Sequence, residues 1–187
     1  MLRTVIVILA LACSTLAQGA PEEGKAGASG SQKSTQPTPK LLSAAMPSPT
    51  EDSAAESELL QLANQSRQQA GVPPLRMNAD LIKAARAHAR LMIDRRQLSH
   101  QFDGEPSLLK RLHETGVPLN SVGENVAYNA SAEQAFDAFM HSPPHRANLL
   151  DPDFNAAGFA AIWSEGRLYV VQDFVRQLPE VVPASKH

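Results

Sequence analysis

Three short stretches of this sequence hold side chains that can do chemistry near neutral pH. His100 ends the run QLSH, Glu124 lies in GENVAY, and His145 lies in SPPHRANLL. Histidine changes charge close to neutrality and is the commonest metal ligand. Two imidazoles and one carboxylate can hold a divalent metal or run acid–base chemistry. The metal such a pair suits best is zinc, with His100 and His145 as ligands and Glu124 orienting one imidazole. With no third strong protein ligand in sight, water or a bound molecule would complete the coordination. On residue types alone, positions scattered this widely are more often unrelated polar sites.

The remaining candidates are weaker. His88 falls on the apolar stripe of a helix and reads as a core position. His141 and His145 are four apart, but Pro143 and Pro144 break any helix between them. His113 belongs to a surface helix, and His187 is terminal. Asn125 suits backbone hydrogen bonding beside the site, and Arg146 and Asn148 suit fixing a turn that carries His145. The single cysteine, Cys13, lies in the N-terminal apolar run. The folded part therefore has no disulfide, no zinc–thiolate site and no Cys–His catalysis.

The elements that must position these residues follow from periodicity. Leu59, Leu62, Ala63 and Ala70 recur at helical spacing, which predicts a helix over about 52–70, stopped by Gly71. Asn78 is an N-cap for a second helix, with Asp80 in its first turn and Leu81, Ala84, Ala85, His88, Leu91 and Met92 as its stripe. Pro106 can open a short helix through Leu108, Leu109 and Leu112, ended by Gly116. Ser131 to Gln134 reads as a capping box before Ala135, Phe136, Phe139 and Met140, and Pro143–Pro144 ends that helix. Then the period changes to two. Residues 157–163 and 168–174 predict strands around the turn Ser164–Arg167, with another strand near Asn125–Tyr128. Phe139 and Trp163 are the expected core anchors. These elements give an α+β fold, a small antiparallel sheet covered by helices.

Outside this domain the sequence reads as address and tether. Arg3, then the apolar run Thr4–Leu16, then small residues, is the layout of a secretory signal peptide over residues 1–20. That run is short for a bilayer span. Leu9–Cys13 also resembles a bacterial lipobox, with Cys13 the lipidated residue, although Ala10 departs from the usual leucine. Either way the domain leaves the cytoplasm, to be secreted or held at the cell envelope, meeting the membrane only through its signal or a lipid. Residues 21–50 read as a disordered linker, too poor in apolar side chains to offset ordering entropy. The domain spans 51–176, and 177–187 form a tail. A net charge of −2 argues against nucleic acid as a partner. The basic helical face of Lys83, Arg86 and Arg90 reads as solvated.

The stretch from Glu51 to Phe174 resembles the CAP/SCP superfamily, the group of cysteine-rich secretory proteins, antigen 5 and pathogenesis-related 1, here in a bacterial form without disulfides. GVPPLRMNADLIKAARAHARLM is similar to that family's helix–loop–helix opening. LSH is similar to its first histidine motif, GENVA to its glutamate motif, and HSPPHRANLLDPDFNAAGFA to its second histidine and the strand that follows. The resemblance implies an α-β-α sandwich with the small antiparallel sheet between helices, and a groove where His100, Glu124 and His145 converge. Many family members carry a second cleft glutamate three residues after an aromatic on the third main helix. The aromatic here is Phe139 and the matching residue is Ser142, while Glu133 sits in the first helical turn, where the helix dipole explains it. Three functions stay open. One is a binding module for a lipid, peptide or envelope glycan, favoured by Ser142 and by the lack of a nucleophile motif. Another is a metal-dependent hydrolase using His100, Glu124 and His145. The third is a structural spacer on a tether.

Overall fold

A computed structural model describes residues 3–5 and 48–179. The leader outside residues 3–5, Cys13, the linker up to residue 47 and the tail beyond residue 179 lie outside the described residues. The elements follow in the order β1 (Arg3–Val5), β2 (Thr50–Glu51), α1 (Ser53–Gln69), β3 (Arg76–Met77), α2 (Ala79–Arg95), α3 (Leu108–His113), β4 (Leu119–Asn129), α4 (Ala132–His141), α5 (Pro143–Leu150), β5 (Ala156–Ser164) and β6 (Arg167–Gln177).

The helix boundaries trace to local chemistry. Asp52 caps α1 by accepting from the Ala55 amide, Asn78 caps α2 through Asp80 and Leu81, and Ser131 caps α4 through Gln134. Gly71, Gly116 and Gly166 take positive φ where the chain must turn back. At the β5–β6 hairpin, Glu165 joins Gly166 at positive φ, the twist that suits two neighbouring right-twisted strands.

The sheet runs in the order β1-β4-β6-β5-β2, with β3 beside β5. Its centre, β4-β6-β5, is antiparallel, and Glu124, Asp173 and Gly158 stand at one level across it. Side chains alternate faces along each strand. One face, with Val122, Val126, Ala160 and Val171, packs on α2 and α3. The other, with Phe159, Phe174 and Val170, packs on α1, α4 and α5 around Leu59, Phe139 and Leu149. The α-β-α sandwich expected above is therefore present. Gly158 is what lets α2 lie directly on the sheet, because a Cβ there would come 2.1 Å from the Leu81 backbone.

Two expectations need correction. His145 is not on a turn but in α5, which starts immediately at Pro143. Proline is favoured at the first helical position, so the pair that stops α4 also opens the next helix. Glu124 does not precede its strand but lies inside β4, which begins at Leu119. Asn120, Ser121, Glu124 and Asn125 mask the strand, because the apolar alternation is lost where Glu124 and Asn125 are buried against the site. Trp163 is half-buried and donates from its indole Nε1 to Asp52, 3.0 Å away, so it closes the α1 cap from the edge of the core. Phe139 is fully buried as expected.

Candidate functional site

Glu124 organises the site. It is 2% exposed, in the middle of β4. Its Oε1 accepts from His100 Nδ1 at 2.8 Å, and its Oε2 accepts from Arg111 Nη2. Both oxygens are thus committed. A carboxylate oxygen can only accept, so His100 Nδ1 carries a proton, and in the neutral form of the ring Nε2 is the atom with the lone pair. That Nε2 is buried without a hydrogen-bond partner, and so is His145 Nε2.

His145 reaches the site from α5. Its carbonyl accepts from Asn125 Nδ2 at 3.1 Å, and its ring packs against Phe139 with centroids 5.2 Å apart. Burial, and then the charge of His100 nearby, hold the His145 imidazole below its usual pKa and favour the neutral form. Asn148, one turn on, donates to the Glu124 carbonyl at 3.1 Å and to Asn125 Oδ1 at 2.9 Å. Asn148 therefore locks α5 to β4, while Arg146 is exposed, so the expected pair of fixing residues reduces to Asn148.

His100 and Glu124 meet directly, His145 lies near enough to feel the charge of His100, and five residues not predicted for the site join them. Arg111 of α3 also donates to the His100 carbonyl at 3.2 Å and lies 3.2 Å from Glu105. Glu105 accepts from His88 Nδ1 at 2.6 Å, and His88 Nε2 faces the Ser99 carbonyl at 2.9 Å and Glu124 at 3.8 Å. His88 is the core residue expected, but it also belongs to this buried ionic network. Gln172 accepts from Asn125 at 3.2 Å. Asp173 stands beside Glu124 in register and is fully buried. Burial first, then the Glu124 charge, pushes its carboxyl well above the usual value of 3.8, against the pull of Arg111. The protonated form of Asp173 is therefore favoured beside Glu124.

Some of this has a signal in the sequence. Gln172-Asp173 is a polar pair inside an otherwise apolar central strand, and a strand covered on both faces must bury it. Arg111 follows Leu108 by three residues, next to the buried face of α3. Nothing local ties Glu105 to it. Ser142, at the position of the second family glutamate, links α4 to α5 and offers no carboxylate. The basic stripe of α2 is neutralised in place. Arg86 grips Glu56 with contacts of 2.8 and 2.6 Å, Arg90 meets Glu51, and Lys83 meets Asp80.

As a metal site the arrangement offers two nitrogens. His100 Nε2 and His145 Nε2 are buried, lack partners, and on His100 the second nitrogen is fixed by a carboxylate, the usual support for a ligating imidazole. Among the described residues no group of three His, Cys, Asp or Glu side chains is placed to hold a metal ion. The residues fit a two-histidine grip that water or a ligand must complete.

A family model, the cysteine-rich secretory protein family (CAP), matches residues 60–174. An uncharacterized Bacillus subtilis protein, YkwD, is 32% identical over 123 residues, which is 63% of this chain and 48% of that protein. This chain therefore spans about half of that relative's length. The crystal structure of an extracellular protein containing an SCP domain from Bacillus anthracis superposes with a TM-score of 0.62 at 24% identity, over 67% of this chain and 41% of that one. An outer surface protein of Borrelia burgdorferi gives 0.64 at 18% identity, over 69% and 98%. These two likenesses speak to the fold.

Proposed function

This chain belongs to the cysteine-rich secretory protein (CAP) family, and from that membership and the arrangement around Glu124 we propose that it is an exported binding module. His100 and His145 grip a ligand in its groove, directly or through a zinc ion, and Glu124 is a positioning residue. The observation that carries this reading is the division of labour at Glu124. Its oxygens face Arg111 and His100 Nδ1, while the Nε2 atoms of His100 and His145 are buried and unpartnered. A general base must lie within hydrogen-bond reach of the proton it takes. Glu124 is 2% exposed and both of its oxygens already face protein donors, so it supports the neighbouring side chains rather than meeting a ligand. Ser142 adds no second carboxylate. Binding thus fits the site better than metal-dependent hydrolysis.

Zinc held by two imidazoles would supply an electrophilic anchor for a carbonyl, carboxylate or phosphate oxygen of the ligand. Export is supported by the leader-like first twenty residues, by the extracellular and outer-surface relatives, and by the lack, among the described residues, of any helix long and apolar enough to cross a membrane. Calorimetry with zinc at neutral pH tests the grip. Wild type should bind with modest affinity and His100→Ala/His145→Ala should not. Equal binding by both would place any metal elsewhere.

A further inference from the structure

β4 has a strand neighbour along its full length on one side only. β6 pairs with it from Leu119 to Asn129. On the outer side the structure places residues 3–5 in parallel, with Arg3 opposite Ser121, Thr4 opposite Val122 and Val5 opposite Gly123. One residue further on, that edge is closed, because Asn148 of α5 donates to the Glu124 carbonyl in place of a strand. At the other end the β4–β6 register is irregular between Leu119 and Val122. A window of three residues therefore accepts an extended chain, and it ends at Glu124.

We propose that this window is a peptide-docking edge: an extended polypeptide segment rich in β-branched residues adds to β4 in parallel and delivers its next residue to His100, Glu124 and His145. The proposal rests on reading the cleft as a binding groove and names the class of its ligand. A parallel chain that pairs opposite Val122 and Gly123 comes level with Glu124 one residue later. Edge strands present unpaired main-chain groups and add extended chains readily. Main-chain pairing supplies affinity for any extended peptide, and β-branched residues favour the pleated form. The segment placed there, Arg3–Val5, opens a run in the sequence, residues 4–8, that has that composition. The edge is closely packed from behind, since at Gly123 a Cβ would stand 2.9 Å from the Phe154 ring and 3.1 Å from the side chain of Asn148, which lies on α5 with His145.

The test uses the precursor, with residues 1–20 retained, because the resident segment belongs to the leader. Thr4→Pro/Val5→Pro prevents pairing of the resident segment whichever way its alternate amides point. Amide hydrogen exchange at Val122 and Gly123 should then quicken about tenfold or more, with Val170 and Val171 of β6 unchanged. A synthetic peptide, Arg-Thr-Val-Ile-Val flanked by lysine pairs, should restore slow exchange in that variant and shift the His100 ring signals. Methylating alternate peptide amide nitrogens, in the two possible patterns, should weaken binding about tenfold in one pattern only. Unchanged exchange in the proline variant, or full-strength binding by both methylated peptides, overturns the docking edge. Zinc binding to the wild-type chain is measured alongside. If it is intact, a failed peptide experiment removes the edge alone; if it is absent, the grip falls separately.

Discussion

Arg67 is the residue whose loss should damage the site most while touching none of it. It lies on α1, is fully buried, and donates to four carbonyls: Pro73 at 2.7 Å, Leu149 at 2.9 Å, Asp151 at 3.0 Å and Phe154 at 2.9 Å. Leu149 belongs to the last turn of α5, whose final carbonyls have no intrahelical donor. Arg67→Met removes all four bonds, and each buried carbonyl left bare costs about 1–3 kcal/mol. Against this, the substitution relieves the desolvation of a buried cation, worth several kcal/mol. The same burial holds the Arg67 pKa below its usual value. The difference leaves a net loss of about 3–5 kcal/mol, the usual result of removing one partner from a buried charged network. On a folded region of this size that lowers the melting temperature by roughly 10–20 °C. Arg67→Lys should rescue little, because one ammonium cannot span four carbonyls. Urea denaturation measures the loss, and zinc calorimetry on the folded fraction should show weakened affinity, since α5 carries both His145 and Asn148. A wild-type midpoint for Arg67→Met would refute the claim that α1 anchors α5 through this side chain.

Three further outcomes follow from the same structure. Asp173 holds its proton more tightly when folded than when unfolded, so wild-type stability falls as pH rises above its ordinary value of 3.8; Asp173→Asn should remove that slope and be the more stable at neutral pH, and denaturation at a series of pH values checks both. Phe139→Ala should cost about 3–5 kcal/mol and raise the His145 pKa toward its usual 6.5 by admitting water, which histidine NMR titration reads; a variant that melts like wild type would show that α4 does not cover His145. Cys13→Ser should move the protein from the membrane fraction to the soluble fraction, and mass spectrometry finding an unlipidated N-terminus beyond Cys13 in wild type would end the lipid-anchor idea.

Much of this fold is legible from local signals. Asn78, Ser131, Gly71 and Gly166 announce their turns and caps because capping and positive φ are decided within three or four residues. The apolar stripes of α2 and α4 set the faces that pack, and Leu81, Ala85, Met92, Ala135 and Phe139 are all buried. Local composition misplaces His145 because two prolines end one helix and begin another, and residue type alone does not separate those roles. It puts Glu124 at a strand start because a strand beside a polar site loses its apolar alternation. The partners of the site stay hidden for a different reason. Glu105, Arg111 and Asp173 sit on a loop, a helix and a strand, and only the tertiary fold brings them together. Arg67 is the extreme case, meeting Asp151 and Phe154 more than eighty residues away along the chain. The His100–Glu124–His145 trio is visible through family likeness, and its geometry requires the fold.

The central claim is that Glu124 fixes the His100 ring so that the Nε2 atoms of His100 and His145 act together. Nitrogen-15 NMR of the histidine rings, recorded at neutral pH with and without zinc, tests it most directly. The account predicts that zinc shifts the Nε2 signals of both rings in step while the His100 Nδ1–H stays bonded to Glu124. It also predicts that both shifts disappear in acid, because a protonated imidazole cannot ligate. Zinc that leaves these two rings unmoved, or that binds through His100 Nδ1, would contradict it.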